Sequence, residues 1–255
     1  MLIPSHAATR GGATTLAHLQ ARWLPWLLAG SVSLTTAGVQ STPVERVSMT
    51  TSSGGRLTAD YRAAGPHAPG VLFFPMCRAD AAEGWAPVAE RLRADGVSSL
   101  IVRYREYAAN ATPVAGDQRE ADADAALAFL LARVPTGRAV AVAGSSCGVW
   151  RALQTAVRHP DRLRAVVAFT GPHTPAHVAH IAASPGLAVL SGSGVDDQPA
   201  PDWARELRKA SGHPASRLLL PPGKAHGTDT FRDAPAVAAE IATWLTERLR
   251  PVIDR

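Results

Sequence analysis

The five residues Gly144-Ser145-Ser146-Cys147-Gly148 constrain this chain more than any other stretch. Ahead of them runs Arg138–Ala143, short, apolar and rich in Val and Ala; behind them runs Val149–Val157, helical in composition and free of Gly and Pro. A strand, a Gly-x-Ser-x-Gly turn and a helix, in that order, describe a nucleophile elbow. So sharp a turn forces its central residue into strained backbone angles. The residues two before and two after must then be small, and here both are Gly. Ser146 is expected to project from the carboxyl edge of a sheet, with the dipole of the following helix aimed at it. A glycine turn that merely joins strand to helix has the same pattern, so the decision falls to the rest of the chain.

The elements around the elbow alternate. Val44–Thr51 and Leu57–Ala64 have strand periodicity and are separated by Ser52-Ser53-Gly54-Gly55, a hairpin signal. Further strands are predicted over Gly70–Pro75, Ser98–Tyr104, Leu163–Thr170, Gly186–Ser191 and Ser216–Leu220. Helices are predicted over Trp85–Asp95, Gly116–Val134, Pro175–Ala183, Asp202–Ala210 and Ala234–Leu249. A hairpin followed by strands alternating with helices predicts an α/β fold: a mostly parallel central sheet with helices on both faces. With 255 residues, 46% of them hydrophobic, one such domain over 43–255 has ample core.

Residues 1–42 differ in kind. Arg10 and Arg22 are the only charges before Glu45, and Trp23–Leu34 is an apolar stretch followed by a small-residue tail. A basic region, a short apolar run and small residues predict a secretory signal peptide, cleaved near Ala37–Gln40, and hence export to a periplasmic or secreted location. Without such a leader the chain would be cytoplasmic. The run is too short and hydroxylated for a transmembrane helix, so no stable membrane insertion is expected after its removal. Losing the two arginines takes the net charge from +5 to +3. The remaining arginines are spread among acids as in Arg91, Arg93 and Asp95, a solvated surface with no basic block for nucleic acid. Cys77 and Cys147 lack CxxC spacing, so neither a zinc knuckle nor a thioredoxin motif is suggested.

A serine hydroxyl needs a base to become a nucleophile, and the base needs an orienting carboxylate. In an alternating sheet these come from loops after later strands, in the order Ser, Asp, His. The loop Ser191–Pro201 offers Asp196 and Asp197. Asp197 is preferred, standing three residues after Gly194 and four before Pro201, where a helix begins. The loop after Ser216–Leu220 offers His226, flanked by Ala225 and Gly227, which leave its ring room to reach the serine. The oxyanion amides should come from Cys147 and, after the strand Val71–Phe74, from Met76 or Cys77.

With these residues together the chain resembles the α/β-hydrolase superfamily, and within it the dienelactone-hydrolase-like and small-esterase branch. The resemblance spans about residues 45–250 and rests on Val71–Met76, Trp85–Leu92, Gly144–Gly148, Gly194–Pro201 and Pro222–Gly227. It implies a Ser146–Asp197–His226 triad. Two departures stand out. Phe74-Pro75 occupies the place of the common His-Gly of the oxyanion loop, leaving the second donor open between Met76 and Cys77. True dienelactone hydrolases have cysteine at the elbow's centre, whereas here serine is central and Cys147 follows it, so that substrate does not carry over.

Cys77 and Cys147 fall on the two loops that build the oxyanion hole. In an oxidising compartment they could bridge and brace it; otherwise they are two small packing thiols. His173, His177 and His180 share one helical face, but no carboxylate joins them and no HExxH is present, so they are assigned to a polar rim rather than a metal site. Only about fourteen residues separate Gly171 from Gly186, too few for a lid domain, so the site should be open. Trp150 is expected in the core, and Trp85 and Trp203 in the core or pocket wall.

The function expected is a serine hydrolase cleaving carboxylic esters or similar acyl bonds of small molecules, without metal or organic cofactor. The absence of a propeller or other gating domain argues against a peptidase. An acyltransferase using the same triad and a non-catalytic exported binding protein retaining the fold are the alternatives. Acyl and alcohol preference are not set by the sequence.

Overall fold

In the computed structural model, residues 43–108, 111 and 113–250 are described; the predicted leader and its cleavage site lie outside them. The strands are β1 (Glu45–Thr50), β2 (Arg56–Arg62), β3 (Gly70–Phe74), β4 (Ser98–Arg103), β5 (Val140–Ser145), β6 (Ala165–Phe169), β7 (Ala188–Gly192) and β8 (Arg217–Leu219). They form one open sheet in the order β1-β2-β4-β3-β5-β6-β7-β8. The β1–β2 hairpin and the β2–β4 pair are antiparallel, and every other pair is parallel.

Among the described residues seven helices connect or flank the strands: α1 (Ala86–Ala94), α2 (Gly116–Leu131), α3 (Cys147–Arg158), α4 (Pro175–Ala183), α5 (Ala200–Ala210), α6 (Thr230–Asp233) and α7 (Pro235–Leu249). Short 3-10 turns over Ala81–Trp85 and Gly227–Asp229, together with α6, have no apolar period and escape prediction. Helix α2 stops at Leu131 rather than reaching Val134; hydrogen-bonded turns carry the chain on to Val134, the residue before Pro135.

Alternation along each buried strand explains the two-faced core. On one face Leu72, Val142, Val166 and Val189 meet Leu127 and Leu130 of α2 and Val149 and Leu153 of α3. On the other, Val71, Phe73, Ala141, Val167 and Leu190 meet Val88 and Leu92 of α1 and Ile241, Trp244 and Leu245 of α7. Trp85 is fully buried against Phe73, whereas Trp150 is only half-buried and sets its ring edge to His177, outside the core position expected of it. Among the described residues no helix is long and apolar enough to cross a membrane. Between β6 and β7 lies only α4, with no inserted lid.

The charged residues are less uniformly solvated than their spacing suggests. Asp60 is buried on β2 and shared by Arg46 and Arg103. Burial opposes its charge, but hydrogen bonds and charge from Arg103 and then Arg46 hold its carboxyl below the usual range. Arg151 and Glu106 form a buried pair beneath the Tyr104 ring.

Candidate active site

The carboxyl ends of β3, β5, β7 and β8 converge on Ser146. It stands at the apex between β5 and α3 with φ 55° and ψ −126°, the strained conformation that the flanking glycines permit. A Cβ on Gly144 would overlap the backbone of Gly148, and one on Gly148 would overlap the carbonyls of Phe74 and Pro75. The elbow is therefore packed backbone to backbone against the end of β3. The Ser146 amide donates to the Phe169 carbonyl at 3.1 Å, which pins the apex to β6.

The acid and histidine loops are zipped together. Val195 N–H donates to the Pro221 carbonyl at 2.9 Å, and Asp196 N–H to the Gly223 carbonyl at 3.1 Å. A tight turn then closes at Asp197, whose amide donates to Gly194 O (3.1 Å) and whose carbonyl accepts from Ala200 N–H (2.9 Å). This turn points Asp197 inward and leaves Asp196 exposed. His226 Nδ1 lies 2.9 Å from Asp197 Oδ2, and His226 Nε2 lies 2.8 Å from Ser146 Oγ. With its proton on Nδ1 the ring donates to Asp197 and accepts from the serine hydroxyl. The structure thus brings Ser146, His226 and Asp197 into one hydrogen-bonded line and leaves Asp196 out of it. The His226 side chain is 49% exposed, so the line opens to solvent.

Met76 and Cys77 follow β3 directly, and Cys147 opens α3. Cys77 and Cys147 are joined as a disulfide with Cα atoms 5.8 Å apart. None of the amides of Met76, Cys77 and Cys147 donates to a protein acceptor among the described residues, which leaves them free for a ligand oxygen. The loop is held from behind by Tyr104, whose hydroxyl donates to the Pro75 carbonyl at 3.1 Å, and by Trp85 Nε1, which donates to the Phe74 carbonyl at 3.4 Å. Burial pushes the Tyr104 phenol well above its usual range, so it stays a donor. Alongside runs a cleft of about 410 Å³, bordered by Pro75, Met76, Arg78, Tyr104 and Tyr107.

Two residues that the motifs did not single out tie this region together. Arg78 reaches Asp229 with both terminal guanidinium nitrogens, at 2.9 and 2.7 Å. Their only sequence signal is position, one after Cys77 and three after His226. The histidine trio departs from the polar rim expected. His177 is buried, accepts from the Thr174 amide at 3.2 Å through Nδ1 and lies 3.2 Å from Gln154 Oε1 through Nε2. It caps α4 instead of facing the site, and burial, then the charges of His173 and His180, push its pKa down to about 4. A carboxylate does approach the trio, Glu206 at 3.3 Å from His173. Among the described residues no group of three or more His, Cys, Asp or Glu is arranged to hold a metal ion.

The sequence matches no protein-family model and no curated protein. Its fold matches solved structures. An esterase of Pyrococcus furiosus superposes with a TM-score of 0.66 at 16% identity, covering 82% of this chain and 94% of that one. A protein of unknown function from Agrobacterium tumefaciens, designated an α/β hydrolase, gives 0.65 at 18% identity, covering 82% and 100%. The esterase domain of a Rhodothermus marinus protein gives 0.64 at 16% identity, covering 82% and 100%. The protein has the α/β-hydrolase fold.

Proposed function

We propose that the protein is a serine hydrolase that cleaves carboxylic esters or similarly activated acyl bonds of small molecules. The observation that carries the reading is the unbroken line Ser146–His226–Asp197, with free amides beside the serine. Ser146 Oγ attacks the acyl carbon while His226 Nε2 takes its proton. Asp197 keeps the ring oriented and stabilises the imidazolium. The carbonyl oxygen, now negative, accepts hydrogen bonds from the amide of Cys147 and from that of Met76 or Cys77, with the N-terminus of α3 behind it. His226 then gives its proton to the leaving alcohol, and an acyl group remains on Ser146. Water, deprotonated by the same ring, releases the acid and regenerates the serine.

A retained but silent site would have no need of the strained φ of 55° at Ser146. The structural neighbours named as esterases support the same class of reaction. The Cys77–Cys147 bridge supports export, because disulfides persist in oxidising compartments. Turnover of p-nitrophenyl esters of graded chain length tests the reading. Hydrolysis by the wild type that disappears in Ser146→Ala is expected; equal rates in the two proteins contradict it.

A further inference from the structure

The oxyanion amides and the general base belong to different loops. The disulfide ties the loop after β3 to the elbow, but it does not touch the loop that carries His226. Among the described residues the one hydrogen-bonded link between the segments Phe74–Arg78 and Pro221–Asp229 is the fork of Arg78 on Asp229. Each partner is a short lever to the chemistry. Arg78 adjoins Cys77. Asp229 closes the 3-10 turn that starts after His226, and its amide donates to the His226 carbonyl at 3.2 Å. Thr230 Oγ1 stiffens that turn by donating to Ala225 O at 2.9 Å. Gly227, at φ 59°, lies so close to Met76 Sδ and Ser145 Oγ that a Cβ there would displace those side chains. The hydrogen bond from Arg78, foremost, holds the Asp229 carboxyl below the usual range.

We propose that Arg78 and Asp229 are positioning residues, whose two-point pairing sets the distance between the oxyanion amides and the His226 ring. The inference rests on Ser146 acting as the nucleophile. The side chains are 53% and 29% exposed, so the pair adds little to global stability. Its two parallel hydrogen bonds nevertheless fix direction as well as distance. In the attack step, negative charge grows on the substrate carbonyl oxygen facing the amides while a proton arrives on His226, so both loops must be in register at one moment. Relative displacement of the loops costs transition-state stabilisation and leaves substrate binding nearly intact.

The test uses the full-length oxidised protein with p-nitrophenyl acetate as substrate and phenylboronic acid as a tetrahedral-adduct probe. Arg78→Ala and Asp229→Asn should each lower kcat roughly tenfold or more, with KM within about twofold of wild type. Affinity for phenylboronic acid should weaken in parallel, and the thermal midpoint should move by no more than a few degrees. Arg78→Lys, or the exchanged pair of Arg78→Asp with Asp229→Arg, should recover part of kcat. Wild-type kcat in both single variants overturns the inference while the Ser146 reading stands. If the single variants fail to fold, recovery of kcat in neither Arg78→Lys nor the exchanged pair overturns it equally. Turnover by the wild type that survives Ser146→Ala refutes the serine reading itself, and this inference with it.

Discussion

Cys77 and Cys147, seventy residues apart in sequence, are covalently joined with their Cα atoms 5.8 Å apart, one on each side of the proposed oxyanion hole. The bond links the residue after Met76 to the residue after Ser146, so it joins the two loops that carry the proposed donors. Thiol titration of the denatured, unreduced protein should therefore find no free thiol. Replacing both residues by Ser should cost about 2–4 kcal/mol of stability in chemical denaturation and lower kcat more than it raises KM. Two titratable thiols in the oxidised protein would contradict the bridge.

Asp197 and Asp196 are adjacent, yet only Asp197 reaches His226, at 2.9 Å, while Asp196 is exposed. Asp197→Asn leaves the shape and favours the wrong tautomer of the ring. It should reduce kcat by roughly 10²–10⁴, and Asp196→Asn should leave kcat within about twofold, as surface changes usually do. Ester hydrolysis by the two purified variants decides between them, and the reverse order would place the acid at Asp196.

Gly148 faces the Phe74 and Pro75 carbonyls with no room for a methyl group. Gly148→Ala should push the oxyanion loop away from the elbow, costing about 1–3 kcal/mol in a denaturation series and lowering kcat by on the order of tenfold to a hundredfold. A variant with wild-type stability and rate would show that the two backbones are not in contact.

His177 is buried neutral, with its pKa lowered from 6.5 to about 4. Below pH 6.5 the unfolded chain takes up a proton that the folded chain refuses. Stability contributed by this group is thus whole above pH 6.5, falls as pH drops, and levels off below about 4. The expected loss is on the order of 2–3 kcal/mol. His177→Gln should be less stable than wild type at pH 7 but lose less between pH 7 and 5, measured by thermal midpoints. An equal loss in both proteins would contradict the assignment.

Much of this was legible from residue order alone. Continuous apolar runs exposed the central strands, since Val140–Ser145 and Ala165–Phe169 are buried on both faces and leave no polar alternation. The elbow was legible because its glycines answer a steric demand, and Asp197 and His226 because the topology orders the loops that carry them. What escaped was set by tertiary contact. The Arg78–Asp229 fork joins positions 151 residues apart and has no periodic signature. His177 looked like part of a solvent-facing trio until Trp150 and Gln154 were seen to cover it. The arginines spread among acids read as a solvated surface because charged residues usually are solvated, yet Arg151 is buried against Glu106, and Asp60 is buried against Arg103.

The central claim is that Ser146 is an activated nucleophile, and active-site labelling with a fluorophosphonate tests it most directly. The wild-type protein should label stoichiometrically, with the adduct on the peptide carrying Ser146, and Ser146→Ala should not label at all. No labelling of the wild type, or labelling that survives Ser146→Ala, would contradict it.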